Sequence, residues 1–156
     1  MEVEKVIKEV KGDLLQAIEN IIGHQVNCQG VMGLGLAAKI RNKYPIVFEK
    51  YKGLVEYYNE NKELLKGECQ LIQVGDNKYV ANLFGQFYYG RNGKYTIYND
   101  LYYALWRLKK KAKKNNLTVA LPYGLGCGLA GGDWNIVRNL IDKAFEDYEV
   151  TIYKIS

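Results

Sequence analysis

The sequence predicts an α/β domain of three layers, with helices on both faces of a central, mixed but largely parallel sheet. Three observations carry this expectation. Short apolar runs alternate with amphipathic helical stretches along the chain, and two glycine-rich loops each follow an apolar run and precede a helix. No repeat, low-complexity segment or compositional break divides the 156 residues, so a single domain over 1–156 is expected.

Taken in order, Val3 to Val10 reads as a first strand, with Val6, Ile7 and Val10 its apolar residues. Ile21 to Asn27 reads as a buried strand. After a glycine-rich turn, Leu36, Ala37, Ile40 and Tyr44 recur at helical spacing until Pro45 interrupts them. A second helix then runs from Pro45 to about Asn59, proline being favoured in a first turn. Cys69 to Val74 and Lys78 to Leu83 read as two strands joined by Gly75-Asp76-Asn77. Over Tyr98 to Lys114, the residues Tyr98, Leu101, Tyr102, Leu105, Leu108 and Ala112 form one buried stripe. Asn115-Asn116 ends that helix and Leu117 to Leu121 supplies another strand. Asp133 is placed to N-cap a helix whose Ile136, Val137, Leu140, Ile141, Ala144 and Phe145 share a face, and Val150 to Ile155 closes the chain as a strand.

Composition narrows the function classes. Hydrophobic residues make up 48% and charged residues 25%, the balance of a packed globular chain. No apolar stretch approaches a membrane span, and Met1-Glu2-Val3-Glu4-Lys5 lacks the layout of a signal peptide, so a cytoplasmic monomer without membrane contact is expected. Cys28, Cys69 and Cys127 carry no CxxC spacing and read as reduced thiols; with one histidine besides, neither a metal site nor a cofactor is expected. Much of the +5 net charge comes from Lys109, Lys110, Lys111, Lys113 and Lys114. Such a run either contacts nucleic acid or, as favoured here, places cations on the last turns of a helix, where they complement its dipole.

The two loops are Asn27-Cys28-Gln29-Gly30-Val31-Met32-Gly33-Leu34-Gly35 and Pro122-Tyr123-Gly124-Leu125-Gly126-Cys127-Gly128-Leu129-Ala130-Gly131-Gly132. Glycine lets backbone amides approach and face a phosphate, and a following helix N-terminus adds partial positive charge. Neither loop matches the P-loop pattern or the GxGxxG spacing of dinucleotide folds. As a pair they suit a diphosphate clamp; singly, each reads as a set of tight turns.

With Gly12-Asp13-Leu14-Leu15 upstream, His24 to Gly35 in the middle and Gly126-Cys127-Gly128-Leu129 downstream, the chain resembles the macrodomain superfamily. Within it, the similarity is to the branch of terminal ADP-ribose protein glycohydrolases and Appr-1-p processing proteins, and it extends from Lys11 to Ile155. The resemblance implies a macrodomain fold holding ADP-ribose. It implies that Asp13 accepts a hydrogen bond from the adenine amino group beside Leu14, and that Asn27 meets the distal ribose. Gly33, Leu34 and Gly35 on one side, with Gly124, Gly126, Cys127, Gly128 and Leu129 on the other, would cradle the diphosphate, and Tyr153 would line the adenine pocket. For Asp13 and Asn27 an ordinary turn role stands as the alternative, and for Tyr153 a core role.

Hydrolysis needs a positioned water and a group to manage protons, and the candidates are Asp133, His24 and Lys94. Asp133 is also a natural N-cap, and His24 a natural buried, hydrogen-bonded imidazole. The stretch Phe87 to Lys94 suits a loop over a ligand edge, with Arg91 or Lys94 reaching an anion. Glycohydrolases of the resembling branch use a lysine and an aspartate directly after GCGL, where this chain has Ala130. The expected reaction is therefore dephosphorylation of ADP-ribose 1''-phosphate, ahead of removal of ADP-ribose from a modified macromolecule. A non-catalytic ADP-ribose reader is the second hypothesis, and nucleic-acid binding through the lysine helix the third.

Overall fold

The computed structural model describes residues 7–155. Six strands form one sheet in the order β1-β6-β5-β2-β4-β3: β1 Lys8–Lys11, β2 Ile21–Gln25, β3 Cys69–Gly75, β4 Lys78–Leu83, β5 Val119–Pro122 and β6 Thr151–Lys154. Only the β3–β4 hairpin is antiparallel; every other neighbouring pair is parallel. The four helices are α1 Gly35–Lys43, α2 Pro45–Tyr57, α3 Tyr98–Asn115 and α4 Trp134–Ala144.

Side-chain alternation along the central strands sorts the helices into two layers. In β4, Val80 turns to a core shared with Ile40 of α1 and Val47, Tyr51 and Val55 of α2. Its neighbours Ala81 and Leu83 turn the other way, to a core built on Leu101, Leu105 and Leu108 of α3 and Val137 and Ile141 of α4. Both faces of the sheet are covered, as a parallel sheet requires.

This arrangement positions a site. The parallel strands point the same way, so the segments leaving β1, β2, β4, β5 and β6 emerge along one rim. Strands β2 and β5 are neighbours, yet β2 leads to α1 on one face and β5 to α4 on the other. A crevice opens at such a switch point, between the two departing loops.

The sequence-based elements differ from these at their ends. The first strand is Lys8–Lys11, and the part of the expected Val3 to Val10 strand before residue 7 lies outside the described residues. The Ile21 strand stops at Gln25, because Asn27 folds into its own turn. Strand β5 begins at Val119 instead of Leu117, since the Leu117 amide donates to the Ala112 carbonyl at the end of α3. A 3-10 stretch over Asn59–Leu65, unforeseen in the sequence, follows α2 and buries Leu65. The lysine cluster does more than face the helix dipole. Lys109 Nζ and Lys113 Nζ donate to the two oxygens of Asp147 at 2.6 and 2.8 Å, and Lys111 Nζ donates to the Cys69 carbonyl at 2.7 Å.

Candidate functional site

A cleft of about 740 Å³ occupies the switch point. Its first wall begins where β2 ends. The Asn27 side chain accepts from the Gln29 amide at 2.8 Å and from the Tyr51 hydroxyl at 2.8 Å, and donates to the Val31 carbonyl at 2.8 Å. These bonds close the turn and deliver the chain to Leu34, the N-cap of α1. Leucine has no side-chain acceptor, so α1 starts without a cap bond. The first amides of a helix have no intrahelical partner, and here they open onto the cleft with the positive end of the dipole behind them.

The second wall runs from Pro122 to Gly132 as linked tight turns. The Leu125 amide donates to Pro122 (3.2 Å), Cys127 to Gly124 (2.8 Å), Gly131 to Gly128 (3.0 Å) and Gly132 to Gly126 (2.9 Å). None of these bonds uses the amides of Gly126, Gly128 or Leu129. Gly124 and Gly126 adopt φ of 79° and 72°, which other residues rarely reach. At Gly33 and Gly128 the reason for glycine is different. Their φ is not in the left-handed region, and a Cβ on either would meet no protein atom within 4 Å. Nothing inside the chain forbids a side chain there; the space in front of both walls is simply kept clear.

A third segment completes the mouth after β4, where Gln86, Tyr89 and Gly90 join the lining. Its shape is set by Tyr95, whose ring fills the positions that side chains at Gly90 and Gly93 would need. The Tyr95 and Thr96 amides both donate to the Ala130 carbonyl, at 2.7 and 3.1 Å, stitching this segment to the second wall. Gln25 holds the other side, donating to Gln86 Oε1 at 2.8 Å and Thr96 Oγ1 at 2.9 Å, while Thr96 Oγ1 donates to the Gly126 carbonyl at 2.6 Å.

Of the residues singled out in the sequence, Asp13, Leu14, His24, Asn27, Gly33, Leu34, Gly35, Gly124, Gly126, Gly128, Leu129 and Tyr153 all line this one cleft. Three do not. Cys127 turns its thiol back to the Leu125 carbonyl at 3.3 Å while its amide donates to the Gly124 carbonyl at 2.8 Å, and burial pushes the thiol up to about 11. Asp133 is exposed outside the cleft, where its carboxylate caps α4 by accepting from the Asn135 amide at 2.9 Å. Lys94 is exposed as well, because its backbone packs against Gly131 and its side chain leaves toward solvent.

His24 reaches the cleft floor but with 1% of its surface exposed. Burial drives its imidazole down to about 4, against a smaller upward effect of its hydrogen bond to Asn82, so the ring is neutral at physiological pH. At the opposite end, Asp13 Oδ1 accepts from the Leu15 amide at 3.0 Å and the Tyr153 hydroxyl donates to Glu19 Oε1 at 2.5 Å. Tyr89 lies in the stretch that the sequence marked as a loop over a ligand edge, with Gln86 just before it, and Tyr123 and Gln25 lie in the motif runs, but none of these was given a role of its own. Lys154 was not singled out, and all five are in the lining. Gln25 and Lys154 are the last residues of β2 and β6, so the carboxyl ends of those strands are the signal that finds them; the others depend on loop packing. Among the described residues no group of three or more His, Cys, Asp or Glu is placed to hold a metal ion.

A cleft walled by two glycine loops, at the switch point of a three-layer α/β sheet, is the arrangement in which α/β domains of the nucleotide-binding class carry their ligand crevice. The Macro domain family model matches residues 24–141, and the chain belongs to that family. It is 29% identical to a DNA ADP-ribosyl glycohydrolase of Mycobacterium tuberculosis over 91% of its own length, though it spans only 40% of that larger protein. It is 26% identical to an ADP-ribose 1''-phosphate phosphatase of Scheffersomyces stipitis, covering 96% of this chain and 99% of the relative. The solved macrodomain of Mycobacterium tuberculosis DarG superposes with a TM-score of 0.81 at 27% identity, over 97% of this chain and 99% of the other.

Proposed function

We propose that the cleft binds ADP-ribose and that the chain hydrolyses ADP-ribose 1''-phosphate to ADP-ribose and phosphate. The carrying observation is the pair Gly33 and Gly128, bare on facing walls with no internal reason to be glycine. A diphosphate fits between them, meeting the uncapped start of α1 on one side and the amides of Gly126, Gly128 and Leu129 on the other.

Strand order supports one orientation of the ligand. Asp13, just past β1, and Tyr153, within β6, stand at one end of the rim, and Asp13 retains its second carboxylate oxygen to accept from an adenine amino group beside Leu14. Asn27 and Tyr89 leave β2 and β4 at the other end, where the distal ribose belongs. Asn27 has one amide hydrogen left for a ribose hydroxyl after its turn bonds. The 1''-phosphate would then lie against the second wall, whose fixed amides stabilise charge developing on the departing phosphate.

Asp13, the one carboxylate in the lining, sits at the adenine end. His24 Nδ1, neutral, and Gln25 Oε1 are both buried at the cleft without a protein partner, and His24 Nδ1 is the lone pair we assign to orienting a water. With Lys94 and Asp133 both outside the cleft and Ala130 where the resembling glycohydrolases carry aspartate, the lysine and aspartate pair of those enzymes has no counterpart at the matching positions. The test is incubation of purified protein with ADP-ribose 1''-phosphate, and separately with ADP-ribosylated protein and DNA, in the presence of a chelator. Phosphate release from the first supports the reading; free ADP-ribose from the macromolecules alone replaces it with a glycohydrolase; tight ADP-ribose binding with no product leaves a reader.

A further inference from the structure

The segment that carries Asp13 and Leu14 is too short to hold its own shape. Its 3-10 turn, Leu14–Gln16, spans three residues. It makes two backbone bonds, Gln16 amide to Asp13 carbonyl at 2.9 Å and Ala17 amide to Leu14 carbonyl at 3.0 Å. A nucleus of that size is unfavourable by itself, because several dihedrals are fixed for very few bonds.

What fixes it comes from elsewhere in the chain. The carbonyls left open past the turn are taken by ammonium groups: Lys43 Nζ donates to Leu15 at 2.5 Å, and Lys78 Nζ donates to Ala17 and to Glu19, each at 2.6 Å. Lys43 is the last residue of α1 and Lys78 the first of β4, so two separate elements grip one strap. The strap in turn holds the opposite adenine wall, since the Glu19 carboxylate receives the Tyr153 hydroxyl. Lys78 is half-buried, and burial pulls its ammonium below the usual lysine range while Glu19 acts against that. It does not line the cleft. A surface lysine with no such task would keep its charge in water.

We infer that Lys78, seconded by Lys43, is a positioning residue for adenine recognition: its two bonds to the Ala17 and Glu19 carbonyls set where the Asp13 carboxylate and the Tyr153 ring meet the base. The inference rests on the ADP-ribose reading above. Hydrogen bonds from a charged donor are about twice as strong as neutral ones, and this donor makes two at the open end of a three-residue turn. Released from them, Asp13 would still cap the turn start but would sample more than one position relative to the sheet.

The test is a ratio. Wild-type protein, Lys78→Met, Lys78→Arg and Lys43→Met are titrated calorimetrically with ADP-ribose and with inosine diphosphate ribose, whose base presents an oxygen to Asp13 in place of the amino group. Wild type prefers ADP-ribose, and Lys78→Met narrows that preference by about tenfold, the scale of one specific hydrogen bond. Lys78→Arg keeps a cation and restores most of it. Lys43→Met, at an exposed position, narrows it less and supplies the readout should Lys78→Met fail to fold. A merely structural role would weaken both ligands together, so an unchanged ratio in the methionine variants overturns the inference while leaving ADP-ribose binding intact. Wild-type protein that binds neither ligand, or binds both equally, defeats the inference too; only the first of those results also removes the reading beneath it.

Discussion

Nε2 of His24 lies 2.6 Å from Oδ1 of Asn82, beneath the floor of the cleft. Asn82 is oriented by its own donation to Gln70 Oε1 at 3.1 Å, so its oxygen faces the ring and the imidazole carries its proton on Nε2. That leaves Nδ1 as a buried lone pair.

The protonation of this ring is therefore legible in stability. Its folded value is about 4 against 6.5 for an ordinary histidine, so between those pH values the unfolded chain binds more protons than the folded one. Stability attributable to the neutral ring is complete above 6.5 and is lost as pH falls toward 4. Urea unfolding of wild type and His24→Gln from pH 7.5 to 4.5 should show the wild-type advantage shrinking over this window. A constant difference would mean that the ring is solvated. By the same argument the pH–rate profile for turnover should carry no histidine inflection between 6 and 7.

Gly33 and Gly128 separate binding from folding. A Cβ at either position meets no protein atom within 4 Å, and a valine built on it projects into the space between the walls. Gly33→Val and Gly128→Val are expected to weaken ADP-ribose binding by about a hundredfold or more, roughly the loss of two good polar contacts, while the melting temperature stays near that of wild type. Gly126→Ala should do the reverse damage first. It adopts φ of 72° and its Cβ would come within 2.9 Å of Gln25 Oε1, so about 1–3 kcal/mol of stability should go with it. Thermal melts paired with titrations decide the matter, and intact binding in both valine variants would place the ligand elsewhere.

Asp133 belongs to the fold. Asp133→Ala removes the α4 cap and should lower stability by about 1 kcal/mol, leaving turnover within about twofold of wild type. Lys94→Ala, at an exposed side chain off the cleft, should change neither. A hundredfold loss of rate in either variant with binding preserved would restore the carboxylate or the amine to the chemistry.

Much of this was legible in the residues, and the rest fails for a common reason. The α3 stripe and the Asp133 cap are local, written in spacing within one element, and both stand where the sequence placed them. The two glycine loops were legible because each lies between an apolar run and a helix. Cys127 was placed with its neighbours in the cradle because composition does not show that its amide donates to the Gly124 carbonyl and its thiol to the Leu125 carbonyl, inside the loop. The stretch holding Tyr89 was legible as a loop over a ligand edge, but which of its residues meet the cleft was not, because their placement depends on Tyr95 folding under them and on Ala130 holding Tyr95 and Thr96. Lys78 read only as the start of a strand, since its partners lie 59 and 61 residues away.

The lysine-rich end of α3 yields the last prediction. Lys109 has only 8% of its surface exposed and is matched by Asp147, which also receives Lys113. Hydrogen bonds from Lys109 and then Lys113 hold the Asp147 carboxyl far below its ordinary 3.8. Its contribution is therefore present above that ordinary value and is lost as pH falls below it toward the folded one. Asp147→Asn should destabilise the protein by a nearly constant amount between pH 7 and 5, with the gap to wild type closing only below about 4, because the half-paired Lys109 ammonium is left without its counter-charge. With Lys109, Lys111 and Lys113 occupied inside the protein, the cluster offers little to a phosphate backbone, and duplex DNA binding at 50 mM salt should be weak and unaltered by Lys110→Ala with Lys114→Ala. Tight binding with a steep salt slope, abolished by that pair, would instead make this helix face a nucleic-acid surface.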